Sequence, residues 1–160
     1  MAAQSRRWIV DIIIVLVVLI VDRAVKLLSL YWLVPGVPVK VGSFVGVDLC
    51  WTLTYNQGAA WGMFDGSPLV LLLFRLFFVA LLCGMYVLSR MPPLVRTSLA
   101  LIIAGACGNI IDTVVWGHVV DMIHLQFWGW NYPIFNAADM SICIGSVAIF
   151  MLMVPGTGTE

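Results

Sequence analysis

From Pro68 to Ser89 the chain runs the length of a bilayer-crossing helix with a single charged side chain, Arg75, and no other feature constrains its fold more. A hydrocarbon core about 30 Å thick is crossed by about 20 apolar residues in a helix. A run apolar all round has no place on the surface of a water-soluble domain. Comparable runs recur over about 9–30, 94–114 and 135–154. Composition agrees, with 62% of the 160 residues hydrophobic and 10% charged, at a mean hydropathy of +1.07; soluble domains are about a quarter charged. The chain is therefore expected to be an all-α membrane protein, a single domain built as a bundle of four transmembrane helices over 9–30, 68–89, 94–114 and 135–154. Formal net charge is zero, so nothing points to nucleic acid or to a general basic surface.

The N-terminal arginines Arg6 and Arg7 before an apolar run also fit a signal peptide. No small-residue cleavage site follows, and the run passes into Asp22, Arg23 and Lys26, so the first span is read as uncleaved. Residues 31–67 are different in kind. Pro35, Gly36, Pro38, Gly42, Gly46, Gly58 and Gly62 break any long helix, and VPVKV and DLCWTLTY alternate as short strands do. A small extracytoplasmic β-rich subdomain is expected there, with Trp32, Trp51, Tyr55 and Trp61 as interfacial aromatics; Trp116, Trp128, Trp130 and Tyr132 play that part again around and beyond Gly117, which ends the third span. Four spans bring both termini to one side together with Arg6, Arg7, Arg90 and Arg96, which makes that side cytoplasmic. Ala104 to Gly108 offer a small-residue face for close helix packing. Cys50, Cys83, Cys107 and Cys143 have no CxxC spacing and suggest neither disulfides nor a metal cluster.

The chemistry gathers between Gly105 and Met140, a stretch holding three of the eight acidic residues: Asp112, Asp121 and Asp139. Each stands at the end of an apolar run. Asn109 precedes Asp112 by three positions and Asn136 precedes Asp139 by three, a spacing that puts amide and carboxylate on one face of a helix. Asp22, at the outer end of the first span, joins the same membrane face, with Lys26 one turn on. A carboxylate at the hydrocarbon boundary is a functional-site hypothesis by default, although Asp139 alone could be a helix cap and Asp121 a loop residue. His118 and His124 flank Asp121, but histidines six apart suit neither a helix face nor a strand face, and no third ligand is evident; no metal and no cofactor are expected. Two facing carboxylates can share a proton, one acting as general base on water while the other protonates the carbonyl or leaving group. Asp139, near a helix N-terminus, is the favoured anion and Asp121 its partner.

The chain resembles the lipoprotein signal peptidase (signal peptidase II) family over nearly its whole length. The motifs stand in order: Asp22…Lys26, Asn56-Gln57-Gly58-Ala59-Ala60, Gly108-Asn109-x-x-Asp112, Gly117-x-Val119-Val120-Asp121 and Phe135-Asn136-x-Ala138-Asp139. The resemblance implies an aspartic endopeptidase of the bacterial inner membrane with Asp121 and Asp139 as the catalytic pair. It implies Asn56, Gly58, Asn109, Asp112, Asn136 and Ala138 around the site, with Asp22 and Lys26 in support. The implied substrate is a diacylglyceryl-modified prolipoprotein cut before its lipidated cysteine, handled by a monomer among membrane lipids. Two positions depart from the family pattern: Thr113 stands where an arginine usually follows the GNxxD aspartate, and Val25 where a Ser or Thr usually precedes the lysine. The missing arginine removes a cation near the acid pair, for which Arg23 or Lys26 could substitute. An inactive homologue, or a small transport or assembly subunit, is the rival reading. Transporters hold polar groups near the bilayer midplane, whereas here the middles of the last three spans are bare except for Arg75.

Overall fold

The computed structural model describes residues 2–57 and 68–153. Four helices and four strands follow in the order α1 (Ala2–Trp32), β1 (Val39–Phe44), β2 (Val47–Asn56), α2 (Pro68–Leu88), α3 (Pro93–Trp116), β3 (Val119–Phe127), β4 (Trp130–Asn131) and α4 (Ala137–Met153). By length and composition, two helical stretches, Leu69–Leu88 and Pro93–Trp116, are apolar enough to cross a membrane. The helix α1 is longer but carries Asp11, Asp22, Arg23 and Lys26, and α4 has 17 residues.

The third helix is the hub, in contact with α1, α2, α4 and β3. Its seam with α4 depends on missing side chains. A Cβ on Gly105 would collide with the Ala138 carbonyl, and one on Gly145 would lie 2.5 Å from the Ser98 carbonyl. With lipid as solvent, such close backbone approach is what holds helices together. Ser141 adds a hydroxyl bond of 2.8 Å to the Leu101 carbonyl. Outward, the helices present Ile9, Ile13, Leu16, Leu73, Phe77, Phe150 and Met151, all more than half exposed. Apolar surface on that scale suits hydrocarbon rather than water.

At one end the bundle is tied by Asp11, 2% exposed within α1. Its Oδ2 accepts bonds of 2.8 Å from the Tyr86 hydroxyl of α2 and from Arg96 Nε of α3, and its Oδ1 accepts one of 2.8 Å from Thr97. The Arg96 guanidinium lies 4.9 Å from the Trp8 ring centroid.

The sheet crowns the opposite end in the order β1-β2-β3-β4, all antiparallel. The strands expected within 31–67 are present, and the sheet is completed by β3 and β4 from the α3–α4 connection. Both hairpins turn on two residues with positive φ, Val45–Gly46 and Trp128–Gly129, the backbone that type I′ turns demand. Leu33, Leu53, Val120 and Met122 form the buried cluster that seats the sheet on α1 and α3. Trp51 donates its indole N–H to Ser29 Oγ at 2.8 Å.

Candidate active site

The site grows from the start of α4. Asn136 caps the helix: its Oδ1 accepts the Asp139 N–H at 2.8 Å, while Asp139 Oδ2 accepts the Asn136 N–H at 3.2 Å. This reciprocal pair is a capping box, so the three-residue spacing of Asn136 and Asp139 marks a helix start and not a shared helix face. A third free donor, the Ala138 N–H, goes to Asp22 Oδ1 of α1 at 2.9 Å. Asp22 comes that close because residue 108 is glycine; a Cβ there would lie 2.9 Å from Asp22 Oδ2 and 3.2 Å from the Ala138 methyl.

From α3, Asn109 and Asp112 do share a face, and Lys26 Nζ bonds to both, at 3.2 and 2.6 Å. Lys26 also pairs with Asp22 at 2.8 Å, and its side chain is wholly buried. Asn109 then spends its amide on Asp139, donating from Nδ2 to Oδ1 at 2.8 Å. Asp112 accepts the Val120 N–H at 3.2 Å, which fixes the start of β3. Its Oδ1 lies 3.0 Å from Arg23 NH2, an ion pair whose geometry falls short of a hydrogen bond. Arg23 in turn lies over Trp116, 4.7 Å from the ring centroid.

Asp121 enters from β3, opposite Thr54 of β2. Phe135 bonds to Ile123 in both directions, at 2.8 and 3.0 Å, and so holds the next residue, Asn136, against the strand. Asn136 Nδ2 donates to Asp121 Oδ1 at 2.6 Å and to Asn109 Oδ1 at 3.1 Å. Asn56, at the end of β2, donates to Asp121 Oδ2 at 3.1 Å. Asparagines thus link Asp121 to Asp139, and Asp121 is 2% exposed. Burial, and secondly the charge of Asp139, push the Asp121 carboxyl up to about 7, against the pull of the Asn56 and Asn136 amides. A carboxylic acid that keeps its proton near neutral pH, beside a carboxylate held by amide donors at a helix N-terminus, is equipped for acid–base work on one bond.

Asp22, Lys26, Asn56, Asn109, Asp112, Asp121, Asn136, Ala138 and Asp139 are therefore brought together. Gly58, with Ala59, Ala60, Trp61 and Gly62, lies outside the described residues. The histidines go elsewhere: His124 Nδ1 bonds to Thr52 Oγ1 at 3.1 Å, and the His118 ring packs on Tyr55 at 4.5 Å. Sequence reasoning noted Arg75 but gave it no role in the site. Its NH1 donates to Thr113 Oγ1 at 2.8 Å, from the middle of α2. The signal was available, since a lone cation in an apolar span marks function by default.

A family model described as signal peptidase (SPase) II matches residues 14–155. The lipoprotein signal peptidase of Clostridium acetobutylicum is 36% identical over 149 residues, covering 90% of this chain and 93% of that protein. That of Coxiella burnetii is 33% identical over 147 residues, covering 88% of each. Among solved structures, a bacterial membrane enzyme determined in meso at 2.3 Å superposes with a TM-score of 0.81 at 27% identity, over 94% of this chain and 93% of that one. A second, determined in meso at 1.9 Å, gives 0.80 at 29% identity, over 92% and 94%.

Proposed function

The chain belongs to the signal peptidase II family, proteases that remove signal peptides from lipoproteins, and we propose that Asp121 and Asp139 are its catalytic pair. The observation that carries this reading is the asymmetry of the two acids around a shared set of asparagines. Asp121 holds a proton to about pH 7, while Asp139 accepts two hydrogen bonds in the first turn of α4.

The reaction follows from these roles. Asp139 takes a proton from water as the water oxygen bonds to the scissile carbonyl carbon. Asp121 gives its proton to the carbonyl oxygen, so a neutral gem-diol forms instead of an oxyanion. On collapse, Asp121 recovers a proton from one hydroxyl, Asp139 passes its proton to the departing nitrogen, and the C–N bond breaks. One product ends in the new carboxylic acid and the other begins with the new amine; both acids return to their starting states. Asn56, Asn109 and Asn136 orient the pair, while Asp22, Lys26 and Asp112 lock α1, α3 and α4 around it.

The substrate we infer is a diacylglyceryl-modified prolipoprotein, cut before the lipidated cysteine. Its acyl chains lie in the bilayer, so the bond to be cut waits at the membrane surface. Such a site calls for four spans, with both termini cytoplasmic in the bacterial inner membrane and the sheet outside. Two contacts support that arrangement: Asp11 meets Arg96 at the end where Arg90 lies, and the acids gather at the sheet end. We read the enzyme as a monomer, since α1, β2, α3, β3 and α4 of one chain bring both acids and their partners together. The test is cleavage of a purified prolipoprotein with and without its lipid, read by mass. The expected result is a free N-terminal lipid-cysteine from the lipidated form only, unchanged by chelators; equal cutting of the unlipidated form would refute the substrate.

A further inference from the structure

The acids of the site outnumber the cations that α1 brings to it. Asp22, Asp112, Asp121 and Asp139 supply four carboxylates, against which Arg23 and Lys26 supply two positive charges. One proton shared by Asp121 and Asp139 still leaves one negative charge too many in a place where unbalanced charge is costly. Among the described residues, the remaining cation in reach is Arg75. It is the only charged residue of α2, half-buried, and it lies within electrostatic range of Asp139, Asp121 and Asp112 in that order of strength.

Thr113 explains how Arg75 is aimed. The Thr113 hydroxyl donates to the Asn109 carbonyl one turn back at 2.9 Å, which directs its lone pair outward, and Arg75 NH1 donates into it at 2.8 Å. Thr113 adjoins Asp112, and its anchor is the backbone of the residue that holds Asp139. The contact therefore docks the guanidinium on the α3 turn that carries the site. A tie between α2 and α3 alone would need no charge; a hydroxyl would serve in a helix that is otherwise apolar.

We propose that Arg75 is a positioning residue of the active site, held by Thr113 so that its charge completes the balance around Asp121 and Asp139 and keeps that pair singly protonated at working pH. The proposal rests on the reading of those two acids as the catalytic pair. Among the described residues, the other charged groups facing the pair are Asp22, Arg23 and Lys26 from α1 and Asp112 from α3. Arg23 and Lys26 are committed to Asp22 and Asp112, at 2.6 to 3.0 Å. Removing Arg75 leaves the pair more negative, so it takes up its second, inhibiting proton at higher pH.

The experiment is kcat/KM against pH for cleavage of lipidated prolipoprotein by the full chain in detergent, for wild type, Arg75→Lys, Arg75→Gln and Thr113→Val. Thermal unfolding of each variant is followed alongside. Arg75→Gln should move the acidic limb up by roughly one pH unit. Arg75→Lys should keep it near wild type, and Thr113→Val should shift it by less, in the same upward direction. An acidic limb for Arg75→Gln superimposable on wild type, at any rate, overturns the proposal and leaves Arg75 a packing residue. Should Arg75→Gln not fold, Thr113→Val decides: an upward shift supports the proposal and an unmoved limb refutes it. Wild-type cleavage by Asp121→Asn would instead refute the catalytic pair itself, so the two failures are distinct.

Discussion

Asp121 and Asp139 have the same side chain, and their surroundings differ in the way that the proposed division of labour requires. Asp139 sits in the first turn of a helix with amide donors on both oxygens; Asp121 sits on a strand, buried beside that charge. Such an environment has a consequence for stability. The Asp121 carboxyl rises from 3.8 to about 7 on folding, so the native state binds its proton more tightly than the unfolded chain does. That contribution is whole below about pH 4 and is lost as pH rises through about 7. Asp121→Asn cannot ionise and escapes the loss. Its melting temperature relative to wild type should therefore climb between pH 5 and pH 8; a constant difference would contradict the shift. Asn136→Ala removes the 2.6 Å donor to Asp121 and the cap of α4 together. Losing the cap should cost about 1 kcal/mol, and cleavage should fall by about 10² or more, since it depends on the placement of both acids. The family motifs made these residues legible in advance, but not their partners. Arg75 is 38 positions from Thr113, and only the packing of α2 on α3 brings them together.

Away from the site, elements are joined by backbone approach and by the polar knot at Asp11, and each can be tested. Gly108→Ala would push its methyl against Asp22 and Ala138, costing about 1–3 kcal/mol and loosening the Asp22 bond to α4. Activity should fall more than stability. At the far end, Asp11→Asn leaves Arg96 with no carboxylate in that knot. Breaking a buried pair from one side costs about 3–5 kcal/mol, so the variant should unfold earlier in detergent with its kcat/KM pH profile unchanged. A moved profile would mean the two ends are coupled. The small-residue stretch Ala104–Gly108 announced close helix packing on α3 in the sequence, though not that α4 would be the partner. The role of Asp11 was not announced, since a lone acid in an apolar run looks the same whether it meets lipid, water or an arginine. The Asn136–Asp139 spacing was legible as a pair, yet the helix starts at Ala137. A spacing rule cannot tell a helix face from a cap until the start is known.

At the scale of the molecule, the apolar runs made the helices plain, and the alternation of VPVKV and DLCWTLTY within 31–67 pointed to strands. The sheet itself was half hidden. Its β3 strand lies more than 60 residues from β2 in sequence and pairs with it through Thr54 opposite Asp121, a register no local pattern reports. That pairing carries one of the two acids we propose as catalytic onto the end of the bundle where the other begins a helix. If the proposed topology holds, Gly42→Cys on a cysteine-free background should react with an impermeant thiol reagent in intact cells. Residue 42 is exposed on β1 with open space beyond its Cα. Protection of that cysteine, with labelling only after lysis, would put the sheet in the cytoplasm and overturn the orientation.

The central claim is that two carboxylates, on β3 and on α4, together cut the peptide bond. Its most direct test is the single-turnover rate of purified Asp121→Asn and Asp139→Asn on a lipidated prolipoprotein, each shown to be folded by its melting curve. An amide can neither give nor take the shared proton, so each variant should lose at least about 10³ in rate while still binding substrate. Wild-type rates from either variant, folded, would remove that residue from the mechanism and the account with it.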